Sequence, residues 1–252
     1  MGKSLELPEL LEQQLVDGIL AGYKDYLSIR RSAQKRLAVS SAYAWVKGNH
    51  IDSQVKEKCA DIPGIEVKHD LAGYAWEYLQ FSYDDANGQS MIIVKNQRAA
   101  ASNFNEKPQQ ADPKNYLYQY AGINNELVKK GYLKGKRTGA GVQLELSMPE
   151  LAAIQQNVTT DQPQGFNRFY IVTYEIDDVK MIKSIRLTMP KQNTMSLFQA
   201  ADLTPMIAKS GIDITPEELA VVQRDRVPAS VYSPDNQPFG YEIPEGEQKK
   251  EQ

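Results

Sequence analysis

Three carboxylates and a lysine in residues 66–95 are of the types that phosphodiester chemistry uses. Glu66, Asp70 and Glu77 are followed by Lys95, which ends the apolar run Met91-Ile92-Ile93-Val94. Carboxylate oxygens hold Mg²⁺, and a lysine can orient water or offset the charge on a phosphate. On this reading Asp70 and Glu77 are the metal ligands, Lys95 acts with them at the scissile phosphate, and magnesium is the expected cofactor. Asp52 is a further acid upstream, placed to cap a helix.

Two basic segments offer a different chemistry. Lys24, Arg31 and Lys35 are spaced seven and four residues apart, so one helical face carries all three. Residues 129–141 read KKGYLKGKRTGAG, with Lys134, Lys136 and Arg137 among glycines. The glycine spacing does not make a P-loop, but cations beside accessible backbone amides can approach phosphates. Arg31, Lys35, Lys134, Lys136 and Arg137 are therefore the candidate contacts to DNA or RNA. Tyrosine outnumbers phenylalanine 14 to 6, and its apolar body with a polar tip suits contact surfaces and base stacking.

The elements that must position these groups follow from periodicity. Leu11, Leu15, Ile19, Tyr23 and Leu27 form one apolar stripe, which predicts a first helix. Small residues over 32–46 predict a second helix, and Ile51, Val55 and Cys59 line a third that ends at Pro63-Gly64. The pattern then changes to period two. A short strand is expected at 64–70, a second at 74–83 and a returning strand at 91–95, with Asn87-Gly88 as the hairpin signal. Residues 99–112 read as a loop and 112–130 as a helix bearing Tyr116, Tyr118 and Tyr120. A further strand is expected at 142–148. A second hairpin spans 166–189 around Asp177-Asp178, with Pro190 stopping the strand. Short helices are expected at 200–210 and 215–224, the latter opened by Thr215-Pro216-Glu217-Glu218.

The fold class expected from this order is α+β, with N-terminal helices followed by a mainly antiparallel or mixed sheet built from hairpins. Residues 1–226 read as one domain, helical over 1–62 and sheet-containing over 63–226, with 227–252 as a proline-punctuated extended tail. A helix carrying an acid, then strands carrying acids and a lysine, resembles the order in restriction-endonuclease-like nuclease cores over residues 45–100. That family places an acid two residues before the lysine on one strand, and here Ile93 stands at that position. The resemblance implies a divergent or degenerate metal-dependent core.

Composition narrows the remaining classes. One cysteine among 252 residues excludes a disulfide framework and a zinc site of paired thiolates, and two histidines leave little for a multi-histidine metal centre. A net charge of −3 argues against a generally basic nucleic-acid binder, so any grip on nucleic acid must be local. No apolar run is long enough to span a membrane, and no secretory leader is evident, so a cytoplasmic protein is expected. The leading functional expectation is nucleic-acid binding, with the nuclease-like core as its scaffold. The alternative is a non-enzymatic protein–protein interaction module, or a homo-oligomer, using tyrosine-rich surfaces and the C-terminal tail.

Overall fold

The computed structural model describes residues 5–72, 76–134 and 165–223. Its first helix, α1 (Glu9–Arg36), starts after Pro8, whose fixed φ suits a helix entry, and carries Glu9 and Glu12 in its first turn and Lys35 and Arg36 in its last. The apolar stripe is fully buried, as the period predicts. The helix runs through Arg36 into the expected second one, and Ser41–Ala44 forms only a single 3-10 turn. Helix α2 (Lys47–Cys59) returns antiparallel along α1. A Cβ on Gly18 would sit 2.5 Å from the Val55 Cα, and one on Gly22 would collide with the Ile51 backbone. The two glycines are what let the helices touch along their backbones.

Six strands follow: β1 (Ile65–Ala72), β2 (Trp76–Asp85), β3 (Gly88–Asn96), β4 (Phe166–Ile176), β5 (Ile182–Lys191) and β6 (Ser196–Asp202). They lie in the order of the sequence, every neighbour antiparallel except the parallel pair β3–β4. The fold is therefore α+β with a mixed sheet: two three-stranded meanders joined along one parallel seam. Gly88 opens β3 at φ +101° with the Asn167 side chain against its Cα, a place only glycine fills.

Alternation along the strands makes two cores. Leu79, Phe81, Ile92, Val94, Tyr170 and Val172 pack under α1 and α2. Tyr78, Met91, Ile93, Phe169 and Ile171 face the crossover that leads from β3 to β4. Within that crossover the expected loop contains helix α3 (Gln97–Asn103), capped by the Asn96 side chain. The expected 112–130 helix is broken into α4 (Tyr116–Ala121), a 3-10 turn at Gly122–Asn124 and α5 (Asn125–Lys129).

The break serves the sheet. Pro190 does not stop β5 but pairs with Leu197 inside it, and it has no N–H to give its other neighbour. Asn124 fills that gap. Its fully buried amide donates to the carbonyls of Phe169 and Pro190, both at 2.9 Å, and its oxygen accepts from the Phe169 N–H at 2.9 Å.

Residues 196–202, expected to precede or begin a helix, form edge strand β6, and only a 3-10 turn (Thr204–Lys209) follows. The final helix (Pro216–Leu219) is shorter than the expected 215–224 but has the expected Thr215 N-cap, which with Glu218 makes a capping box. No helix among the described residues is long and apolar enough to cross a membrane. The expected strand at 142–148 and the tail 227–252 lie outside the described residues.

Glu12 is buried under the N-terminal segment, where its carboxylate accepts from the Leu7 N–H. Burial pushes it up to about 7, against the pull of that hydrogen bond. The ordinary value of 4.5 applies in the unfolded chain. Below it both states hold the proton and Glu12 costs nothing. Between 4.5 and about 7 only the unfolded chain ionises, so stability falls as pH rises; above about 7 the penalty is constant. Glu12→Gln is therefore expected to raise stability by about 2 kcal/mol at pH 8 and to change it little at pH 4, measured by urea unfolding.

Candidate functional site

Strand pairing decides which expected site residues meet. Asp70 lies opposite Tyr78, Lys68 opposite Gln80 and Glu66 opposite Ser82. These three rungs present their side chains to the face covered by the crossover, because Tyr78 belongs to that core. Lys95 joins them: its ammonium lies 5.1 Å from the Tyr78 ring centre and 5.6 Å from that of Tyr116. Glu77 does not. It pairs with Leu71 and alternates with Tyr78, so it shares the opposite face with Leu79 and Phe81 and is exposed there. Asp70 and Glu77 consequently do not form a common metal site, which corrects the ligand pair expected from the sequence. Ile93, two residues before Lys95, is fully buried in the crossover-side core. Among the described residues no group of three or more His, Cys, Asp or Glu side chains could hold a metal ion.

The structure assembles a tyrosine cluster at Asp70 and Lys95 instead. Tyr78 and Tyr116 stack with ring centres 4.9 Å apart, and Tyr116 meets Tyr120 edge-on at 5.7 Å. The Tyr78 and Tyr120 hydroxyls are 3.0 Å apart, and Tyr120 donates to Asp70 at 3.4 Å. Lys68 lies 3.8 Å from the same carboxylate. Burial raises both phenols above the usual tyrosine value, Tyr78 the more strongly, so they act as neutral hydrogen-bonding groups. On the other side of Lys95, Asp52 accepts from the Leu79 N–H at 3.3 Å. Burial raises Asp52 to about 6, while the Lys95 charge and that hydrogen bond pull it down. Asp52 thus ties α2 to β2 and does not cap its helix, which begins at Lys47 with no side-chain cap hydrogen bond.

Beside the cluster is a cleft of about 590 Å³. Its floor is the three rungs of β1 and β2, including Glu66, Lys68, Asp70, Gln80 and Ser82. Tyr116, Gln119 and Tyr120 of α4, with Val67, Gln89 and Phe166, complete it. Gln80 was not singled out by the sequence reading. The signal was present: one amide stands inside the run Tyr78-Leu79-Gln80-Phe81, all of it buried.

The expected basic face of α1 is used mainly inside the chain. Lys24 donates to the Asp213 carbonyl at 2.5 Å and pairs with Glu218 at 3.6 Å, and Arg31 donates to the Glu217 carbonyl at 2.9 Å. These contacts dock segment 213–221 on the helix. Lys35 and Lys134 are exposed. Lys136 and Arg137 lie outside the described residues. Several tyrosines are core residues: Tyr78, Tyr120, Tyr170 and Tyr174, expected at contact surfaces, are buried, as are Tyr23 and Tyr26 of α1. His50 is paired with Asp25 at 2.6 Å, and Cys59 is buried, its thiol pushed up to about 12. Among the described residues, neither is shown beside the partners that nucleophilic catalysis requires.

Compared with family models, curated proteins and solved structures, the chain matches none.

Proposed function

We propose that this chain is a cytoplasmic protein that binds single-stranded DNA or RNA along the crossover side of its sheet and does not cut it. The observation that carries this reading is a partition of charge. Residues 88–134, comprising β3 and the crossover, hold seven Lys and Arg against three Asp and Glu. Residues 60–87, comprising the β1–β2 hairpin, hold one against six. A net charge of −3 conceals this contrast. Phosphates would follow the cationic crossover, and Lys136 and Arg137 continue the same basic run in the sequence.

The nuclease-like reading drew on the order of Asp52 on α2, then β1 to β3 with Lys95 near the end of β3. Ile93 in the acid's position and Glu77 on the far face support binding in place of metal-dependent cleavage. The test is anisotropy of labelled single-stranded oligonucleotides across increasing salt. Affinity is expected to fall steeply, and neutralising Lys134, Lys136 and Arg137 together should reduce the log–log slope by about 2. The same oligonucleotides should remain intact with Mg²⁺ or Mn²⁺. No binding at low salt, or a slope unaffected by the triple variant, overturns the reading.

A protein-interaction role draws support from different residues than the tyrosines first expected. Leu37, Val39 and Tyr43, between α1 and α2, are 44%, 79% and 37% exposed. Concentration-dependent self-association in sedimentation would favour that second reading.

A further inference from the structure

The cleft contains one side-chain amide whose bonding capacity is unused among the described residues. Gln80 is only 5% exposed and lines the cleft, and its side-chain amide has no hydrogen-bond partner among the described residues. Its amide atoms are reachable from the cleft, so they are available to a group that enters it. The neighbouring rungs state the character of that group. Glu66 and Asp70 flank the single Lys68, so the floor is net negative and repels a phosphate. It favours a ligand without negative charge that donates hydrogen bonds. The walls carry tyrosine rings and further amides, and the volume falls in the range of about 300–1,000 Å³ seen for small-molecule sites.

We infer that the cleft receives one unpaired nucleobase with an amine at purine C6 or pyrimidine C4, adenine or cytosine, from a strand whose phosphates stay on the crossover. This rests on the proposed nucleic-acid binding and adds what that binding selects. Glutamine pairs in two-point fashion with the amine and ring nitrogen of adenine, and carboxylates accept from the cytosine amine. Thymine and uracil present a carbonyl where these bases present an amine, so Glu66 and Asp70 would face an acceptor. Tyr116 and Tyr120 offer ring surface beside the base.

The experiment is competition between homopolymeric dA, dC and dT oligonucleotides at one salt concentration, for the native chain and for Gln80→Leu. The native chain is expected to bind dA and dC about tenfold tighter than dT. Gln80→Leu should lose that preference while keeping its dT affinity and its salt slope. A thermal melt of Gln80→Leu checks folding, and Gln119→Ala at the cleft's α4 wall is a second variant expected to weaken the same preference. Equal binding of all three homopolymers overturns the inference and leaves the salt-dependent binding standing. An unchanged preference in both variants overturns it too, as does displacement of the bound dA by a neutral oligosaccharide such as maltotriose, which assigns the cleft to sugars. Absence of binding to any oligonucleotide overturns both readings together.

Discussion

Asn124→Ala is expected to destabilise the chain by about 3–5 kcal/mol, the largest effect of any single substitution considered. The native amide satisfies three backbone groups, the N–H and carbonyl of Phe169 and the carbonyl of Pro190. Alanine leaves all three buried without partners. Each costs about 1–3 kcal/mol, and relaxation of the turn recovers part of the sum. The neighbouring strand cannot compensate, because Pro190 has no N–H to offer. Asn124→Asp separates the donor role from the acceptor role. A carboxylate can accept from Phe169 but cannot donate to either carbonyl, and it buries a charge. Its loss of stability should therefore be larger at neutral pH than at pH 4, where a protonated carboxyl restores one donor. Urea unfolding gives the magnitudes, and hydrogen exchange at the Phe169 amide reports the local defect. If Asn124→Ala unfolds within about 1 kcal/mol of the native chain, the amide is not completing the sheet.

Asp85→Ala should cost about 3–4 kcal/mol for a different reason. Arg168 is 4% exposed, and its guanidinium donates to Asp85 at 2.7 Å. The Tyr170 hydroxyl, 3.5 Å away, is a weak second acceptor. Removing the carboxylate leaves a buried cation without its counter-charge, which is far more costly than losing an exposed ion pair. The cost belongs to the orphaned charge and not to the pair itself. The double variant Asp85→Leu with Arg168→Met should consequently recover most of the stability that Asp85→Ala loses. A double variant as unstable as the sum of its single changes would show that the pair is itself the stabilising element.

The sequence made the local elements legible where side-chain chemistry is local. The α1 stripe, the Asn87-Gly88 and Asp177-Asp178 corners and the Thr215 cap depend on residues within a few positions of one another. The expectations that changed depended on distant partners. Nothing near residue 124 reveals that Asn124 completes a rung at Pro190, so the helix expected over 112–130 gave no sign of its break. Segment 196–202 has no clear alternation, and it becomes β6 because β5 offers it an open edge.

The candidate site divides in the same way. Alternation within β2 already put Glu77 with Leu79 and Phe81. What the sequence could not supply was the register that sets Asp70 opposite Tyr78 on the other face. Lys95 was legible as a strand-end cation, whereas its seat against two tyrosine rings required α4 to be placed on the sheet.

The parallel seam has a consequence for how the chain reaches this fold. Met91 meets Phe169 and Asn96 meets Tyr174 across nearly eighty residues of sequence, whereas each neighbouring hairpin turns within a few. Closing the longer loop carries an extra entropic cost of about 2–3 kcal/mol, since closure entropy grows with the logarithm of length. The two meanders can zip on the timescale of hairpins, but the seam between them must wait for a long search. Folding speed should then be governed by residues on the seam and the crossover, and changes confined to either meander should act chiefly on the rate of unfolding.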